Sequence, residues 1–411
     1  MADLKELGRT GLNRWGGHID EEFLHDLSGM KGIRVYQEMS DNDATVGAIL
    51  FAIKMLIRQA SWSVQPAGAE KKDEEAAEFV QSCLNDMQDT WTNTISEILS
   101  FLTYGWSVHE ICYKRRMGHK RDPRLDSKYS DGLIGWLKLP IRCQESLYEW
   151  EFDNSDNLTA FIQMPAPDYR IIRIPAEKIL LFRTESRKGN PQGRSILRTA
   201  YRSWYHKKRI EELEGIGIER ELAGYPTLQA PEGVDIWAPE NAGLLQMCND
   251  FISNIRRDSM EGLTLPYGWE LKLLNTGGAR QIDISATITR YDMAIARTVL
   301  ADFLFLGSGN VGSWALSSDK TALFSVAIGT YLDIICEVFN RTAIPALIDI
   351  NGGHFNGITD YPTLTHGDIE TQDLAALGTF LKDMTGIGLI TPDEAIEDYI
   401  REQASLPPRV D

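Results

Sequence analysis

The stretch GSGNVG matches the glycine pattern of a dinucleotide-binding turn at Gly307, Gly309 and Gly312, and its flanks constrain the fold more than any other feature. Such a turn needs a strand before it, a helix after it, and an acidic residue about 20 positions on at the end of a second strand. Before the glycines, Met293, Ala296, Val299, Leu300, Phe303 and Leu304 fall at helical spacing. Beyond them, Leu323, Val326, Ala327, Thr330, Ile334 and Val338 mark a second long helix that begins near Asp319. The next acid of interest, Asp333, would sit in mid-helix. A helix–loop–helix connector is therefore expected, with Trp314 and Leu316 exposed or packed on a neighbour, and no cofactor.

Upstream, the periodicity divides the chain. Val46, Ile49, Leu50, Ile53, Leu56 and Ile57 lie on one helical face behind Asp43 as N-cap. A short strand at Trp62 to Val64 follows, then a helix from about Asp73 and a third helix carrying Ile95, Ile98, Leu99, Leu102 and Trp106. The run YGWSVHEICYKRR reads as a strand, LYEWEF and TAFIQM as a hairpin, and EKILLFR as another strand. The first half is thus an α+β unit. From about Ser195 a single long helical pattern runs to Leu222 and stops at GYP. A mixed segment from Tyr225 carries one short helix and a strand–turn–strand at GLTLPYGWELKLL. The last 45 residues read as purely helical, with a capping box in Thr391 and Glu394.

Charge is segregated. The chain carries a formal −17, which as a whole repels polyanions. Yet between residues 183 and 209 nine cations face one acid, Glu185. Arg194, Arg198 and Arg202 are spaced i, i+4, i+8 and would share a helix face. That stripe has three readings: a solvated face paired with local acids, carboxylate pairing with a neighbouring subunit, or phosphate contact. Five scattered cysteines without a C-x-x-C suit reduced, mostly buried thiols, and seven scattered histidines show no ligand spacing, so no metal is expected. His109 and Glu110 would point to opposite faces of their strand and are read as structural. The start MADLKELGRTGLNRWGG has no apolar signal region, and AILFAIKMLI is interrupted by Lys54, so an intracellular chain without a membrane span is expected. Nothing proposes catalysis.

The order of landmarks resembles the portal proteins of tailed phages, especially the Mu-like branch. The carriers are GIRVYQEMSDNDATVGAILFAIKMLIRQASWSVQP, EILSFLTYGWSVHEICY, IPAEKILLFRTESRKGNPQGRSILRTAY, GLTLPYGWELKLL, MAIARTVLADFLFLGSG and IPALIDINGGHFNGITDYPTLTHGD, with the tail LGTFLKDMTGIGLITPDEAIEDYIREQASLPP. Together they span about Gly32 to Pro408.

The resemblance implies an α+β portal architecture in a ring, usually of twelve subunits, at one capsid vertex. Carried onto this sequence, it makes residues 1–42 an N-terminal arm, 43–192 the wing, 193–224 the first stem helix and 225–282 the clip. Residues 283–304 become the second stem helix, 305–318 the tunnel loop, 319–366 a long helix returning to the wing, and 367–411 a helical crown. The loop residues Gly307, Ser308, Gly309, Asn310, Gly312, Ser313 and Trp314 would then line the channel; without a cation between Leu306 and Ser318 they would touch DNA weakly and without sequence preference. In a head-to-tail ring, Arg194, Arg198 and Arg202 gain weight as an intersubunit stripe. An acidic lumen, screened over ~8 Å, would keep DNA from sticking. Implied partners are further copies of the chain, double-stranded DNA, the large terminase subunit, capsid or scaffold protein and head-completion or adaptor proteins. The implied location is the virion vertex, with assembly in the host cytoplasm. The alternatives are another virion structural protein, of the head-completion or tail class, and a nucleotide-binding enzyme built on GSGNVG. The resemblance offers no residue-by-residue match in the clip and nothing after Pro408 for the long C-terminal helical barrel of some members.

Overall fold

The computed structural model describes residues 8–120, 122, 125–223, 225–254, 264–274, 283–301 and 314–367. The chain divides into two compact units: residues up to Arg198 together with those from Val299 onward, and the inserted stretch Thr199–Thr298.

The first unit opens with a two-residue hairpin, β1 (Arg14–Trp15) and β2 (His18–Ile19), turned by Gly16 and Gly17 at φ +53° and +81°. Next come helices α1 (Gly29–Asn42) and α2 (Ala44–Gln59). The carboxylate of Asp43 accepts from the Thr45 and Val46 N–H groups, as its capping role requires. The inner stripe Val46, Ile49, Leu50, Ile53 and Ile57 is buried. Strand β3 (Trp62–Gln65), α3 (Lys71–Asn85), α4 (Trp91–Ile98) and α5 (Ser100–Tyr104) follow. Eight short strands then run between residues 106 and 183: β4 (Trp106–Glu110), β5 (Cys112–Arg115), β6 (Ile134–Lys138), β7 (Ile141–Arg142), β8 (Leu147–Phe152), β9 (Leu158–Gln163), β10 (Ile172–Pro175) and β11 (Ile179–Arg183). All pair antiparallel, in the orders β11-β4-β7, β10-β9-β8 and β5-β6.

The second unit holds α6 (Tyr201–Ala223), β12 (Tyr225–Gln229), α7 (Ala242–Asn254), β13 (Glu270–Leu274) and α8 (Ile284–Arg297). Strands β12 and β13 pair antiparallel from Tyr225↔Leu274 to Gln229↔Glu270, and α6 packs on α8.

The chain re-enters the first unit through α9 (Trp314–Val338), a π-helical turn at Phe339–Ala343, α10 (Ile344–Ile350) and β14 (Thr363–His366). β14 pairs with β3, Leu364 opposite Val64. Helix α9 lies against β11 and β14. By length and composition Leu323–Ile350 would pass as a membrane span. Here its inner face is core, with Leu332, Ile335, Phe339 and Leu347 fully buried.

Aromatic rings fill the interior of the first unit. Trp106, Trp150 and Phe161 meet edge to face, with Trp150 5.2 Å from each of the other two. Phe339 contacts Trp91 at 5.2 Å, Trp136 at 6.1 Å and Phe182 at 6.0 Å.

Several expectations change. Residues before Asp43 include the helix α1, whose buried side is Gly32, Ile33, Tyr36 and Met39. Trp106 belongs to β4 and not to the third helix, because Gly105 at φ +90° ends α5 in a left-handed cap. The long helix starts at Tyr201, after a 3-10 turn at Ile196–Arg198. α8 stops at Arg297, and Leu300, expected on its face, stands outside it at φ +59°; Phe303 and Leu304 lie outside the described residues. β13 pairs with β12, and Thr264 and Leu265, the described end of the expected first strand, are irregular. Helix α9 begins at Trp314, ahead of Asp319.

Candidate functional site

Two segments carry the expectations about function. The glycine loop, Gly307, Ser308, Gly309, Asn310, Gly312 and Ser313, lies outside the described residues, and so does the C-terminal stretch after Gly367. Trp314 is the first residue of α9. On its near side the loop is preceded by α8 and an irregular turn, on its far side by a helix. The strand that a dinucleotide turn requires is absent from the described residues before it.

The basic segment is described in full, and glycine contacts set its course. Gly105 and Gly193 stand back to back, both at positive φ; a Cβ on Gly193 would meet the Gly105 carbonyl oxygen at 2.3 Å. Thr184 N–H donates to the same carbonyl at 3.1 Å. The Ser195 hydroxyl donates to Thr103 O at 2.5 Å and accepts from Leu197 N–H at 3.0 Å. The Arg194 carbonyl accepts from the Thr184 hydroxyl at 2.5 Å, and the Arg198 N–H, which an α-helix would direct to that carbonyl, donates to Ser195 O at 3.1 Å. This seam joins the YGW and NPQGRS stretches on which the family resemblance rests.

The same seam breaks the arginine stripe. Arg194 lies in an irregular turn, Arg198 ends a 3-10 turn, and Arg202 sits in the first turn of α6. They do not share one helix face, because helical geometry begins only at Tyr201. Arg198 is held by Glu22 in a two-pronged pair, with Nε to Oε2 and Nη2 to Oε1 both at 2.6 Å. Lys188 reaches Glu21 at 3.0 Å, and Arg187 lies 3.2 Å from Glu185. Arg183 donates to Asn190 O at 3.0 Å and to the Ser186 hydroxyl at 3.1 Å. Arg202 is exposed.

Glu21 and Glu22 reach this place because the β1–β2 hairpin docks on β8. Trp150 N–H donates to Gly17 O at 3.0 Å, and the Arg14 guanidinium stacks 4.2 Å from the Phe152 ring while pairing with Asp156. Burial alone would raise the Glu22 carboxyl. The Arg198 hydrogen bonds, the Leu24 N–H and the charges of Arg198 and Arg194 outweigh it and hold that carboxyl below the ordinary range. Glu21 is held down mainly by the Asn13 N–H, against a smaller burial effect and with help from Lys188. A cleft of about 460 Å³ lies between this arm, α1 and the basic turn, lined among others by Glu22, Tyr36, Tyr104, Gln192, Arg194 and Arg198. Both signs of charge line it. Acids of the chain's own arm, invisible to local spacing, therefore occupy much of the positive charge.

In the second unit, Lys207 is buried and pairs with Asp292 of α8 at 2.7 Å and with Glu211 at 3.8 Å. Lys208 stacks on Trp204, and Arg209 pairs with Glu212 at 3.2 Å. The His206 and Tyr291 rings lie 6.2 Å apart across the same two helices.

His109 is buried in β4. Its Nδ1 sits 2.8 Å from Leu139 O and its Nε2 has no partner. Burial pushes its pKa down to about 4, the Leu139 hydrogen bond opposing and the Arg142 charge assisting. Glu110 pairs with Arg142 instead. All five cysteines are free thiols; burial pushes Cys83 up to about 11 and Cys336 up to about 12.

Comparison with known proteins gives one family match. The family described as the portal protein of Mu bacteriophage matches residues 33–406. Among solved structures, a chain of the neck of an empty GTA particle, computed with C6 symmetry, superposes with a TM-score of 0.53 at 11% identity, covering 97% of each chain. A chain of the native gene transfer agent virion gives 0.48 at 11% identity, covering 94% of this chain and 95% of that one. An HK97 family phage portal protein from Corynebacterium diphtheriae gives 0.43 at 11% identity, over 80% and 94% of the two chains.

Proposed function

Since the chain belongs to the portal protein family of Mu bacteriophage, we propose that it works as a passive DNA conduit, a ring of copies through which the genome is packaged and later ejected. As a member of that family it is a head–tail connector, located at the portal vertex of the virion. The family match across residues 33–406 carries this reading. The fold supports it: two helices, α6 and α8, are joined by an ion pair from the buried Lys207 to Asp292, and the chain between them forms a small β12–β13 and α7 module.

Within the proposal, residues 43–192 with 319–366 form the wing, α6 and α8 the stem, and 225–282 the clip that docks the terminase during packaging and adaptor proteins afterwards. Residues 305–313 with the start of α9 form the channel loop, and residues 367–411 the crown toward the capsid interior. The loop contacts DNA through backbone groups, Ser308, Asn310, Ser313 and Trp314. Arg198, engaged by Glu22, stabilises the subunit itself. Arg202, exposed on the stem, is the member of the arginine trio suited to a neighbouring subunit or to phosphate. The protein acts without a cofactor and without chemistry of its own.

Native mass spectrometry with negative-stain imaging tests the reading. A closed ring with a central hole is expected. A chain that stays monomeric when capsid and scaffold proteins are supplied would overturn it.

A further inference from the structure

Residues 13–24 cross the surface of the first unit as an arm held by charge at both ends. Near its start, Arg14 pairs with Asp156 in the turn between β8 and β9. Near its end, Glu21 meets Lys188 at 3.0 Å and Glu22 meets Arg198 at 2.6 Å, both from the turns that follow β11. The sign of charge thus reverses along the arm, a cation in front and two acids behind, and each finds its opposite on the body beneath.

Apolar burial does little of this holding. Trp15 is 86% exposed and Phe23 92% exposed. Ile19 packs against the cluster of Trp106, Trp150 and Phe161, beside Leu147 and Phe152, and Gly17 O accepts the Trp150 N–H at 3.0 Å. Firm anchorage begins only beyond the arm, where Leu27 is buried ahead of α1. The three ion pairs are partly exposed, so each is weak and each is screened by salt.

The backbone beneath the arm carries an independent sign of this clasp. Two of the three residues that hold it stand in left-handed conformation, Asp156 at φ +62° and Lys188 at φ +54°. Aspartate visits that region readily, but lysine does so at a cost that glycine would not incur. Strain of this kind gathers where a side chain has to be presented in one direction, and here the Lys188 ammonium is presented to Glu21.

We propose that residues 13–24 form a strap closed by charge, which lies down at low ionic strength and lifts in one piece at high ionic strength while the first unit beneath stays folded. His18, Glu21, Glu22 and Phe23 line one side of the cleft that ends at Tyr36 and Tyr104, so lifting removes a wall of that cleft. It also uncovers the side of Leu147 and Phe152 next to Ile19. The strap works within one chain and does not depend on how copies associate.

The Trp150 amide reports the strap in the full-length protein, because its hydrogen is bonded to Gly17 O. Its exchange rate is expected to rise about tenfold between about 0.01 M and about 1 M sodium chloride, where the Debye length falls from about 30 Å to about 3 Å. Amides in α2 and β9 should keep their rates. Asp156→Asn and Lys188→Gln remove a charge with little change of shape, and each should raise the low-salt rate about threefold. The double variant should lose most of the salt response, which a purely structural role for these side chains would leave intact. A Trp150 rate indifferent to salt would overturn the proposal, and so would a double variant that keeps the full response. A rise shared by α2 and β9 would overturn it as well, since the whole unit would then be loosening.

Discussion

The two units bury different material. Around Phe339, three further rings close an interior in which Trp136 and Phe182 are also fully buried. Among the described residues, helices α6 and α8 bury only Trp204, Ile295 and Ala296 besides Lys207, which pairs with the half-buried Asp292, while Leu213, Ile216 and Ile218 of α6 face outward at 67%, 46% and 43% exposure. Apolar burial stabilises in proportion to area, whereas a buried ion pair returns little beyond its own desolvation cost and chiefly fixes geometry. One unit is thus built to stand alone. The other has a smaller apolar core supplemented by a charged pair and leaves part of α6 apolar and exposed, which suits the proposed ring.

The most severe test of that contrast is truncation at both places. Phe339→Ala should cost about 3–5 kcal/mol in urea unfolding, against less than about 0.5 kcal/mol for Leu213→Ala in the dissociated chain. Equal losses would erase the distinction between the units. Next comes acid. His109 is held neutral in the folded protein, with its pKa lowered from 6.5 to about 4, so between those values the unfolded chain binds the extra proton. Stability of the first unit should therefore be complete above about pH 6.5 and fall as pH drops toward 4, by on the order of 3 kcal/mol. His109→Phe should flatten that slope, and an unaltered slope would remove His109 as its cause.

A smaller effect sharpens the other side. Lys207→Ala should loosen the helix pair by about 1–3 kcal/mol, read as faster amide exchange in α6 and α8 with the first unit unaffected. Asp292→Asn should go the same way. Smallest is the arm: Arg198→Ala should cost about 1 kcal/mol, since the pair with Glu22 is two-pronged but partly exposed. Glu22 has its carboxyl held low, so its contribution is full above the ordinary value of 4.5 and is lost as pH falls below it. Amide exchange of residues 13–24 above and below that pH checks both statements.

Where local pattern decides, the sequence was readable. Five of the six residues that the spacing puts on the inner face of α2 are buried, Leu56 at its edge being half-buried, and Asp43 caps as expected. The family followed from motifs in order, and the match over residues 33–406 agrees. Misreadings arose where backbone conformation or distant partners decide. Gly105 turns the chain into a left-handed cap, so Trp106 leaves helical register for a strand. Gly193 at positive φ and the 3-10 turn at Ile196–Arg198 put the start of α6 at Tyr201, so the three arginines do not share one helix. Glu22 neutralises Arg198 from 176 positions away, and Asp292 meets Lys207 from another helix. Spacing along one segment carries no trace of either. Helix α1 was missed because its buried side is only Gly32, Ile33, Tyr36 and Met39, too sparse to stand out.

The ladder between β3 and β14 has a consequence in time. Its halves lie 300 residues apart, Val64 opposite Leu364. At translation rates of about 5–20 residues per second, β3 has left the ribosome roughly 15–60 s before its partner exists. Throughout that interval the nascent chain offers an unpaired strand edge and an unfilled place for Phe339, while the inserted unit between them is still being made. Chains emerging side by side on one message present that same edge to each other. The yield of native subunits is then set by how long the ribosome takes to reach residue 366, and slowing translation across residues 199–298 should lower it.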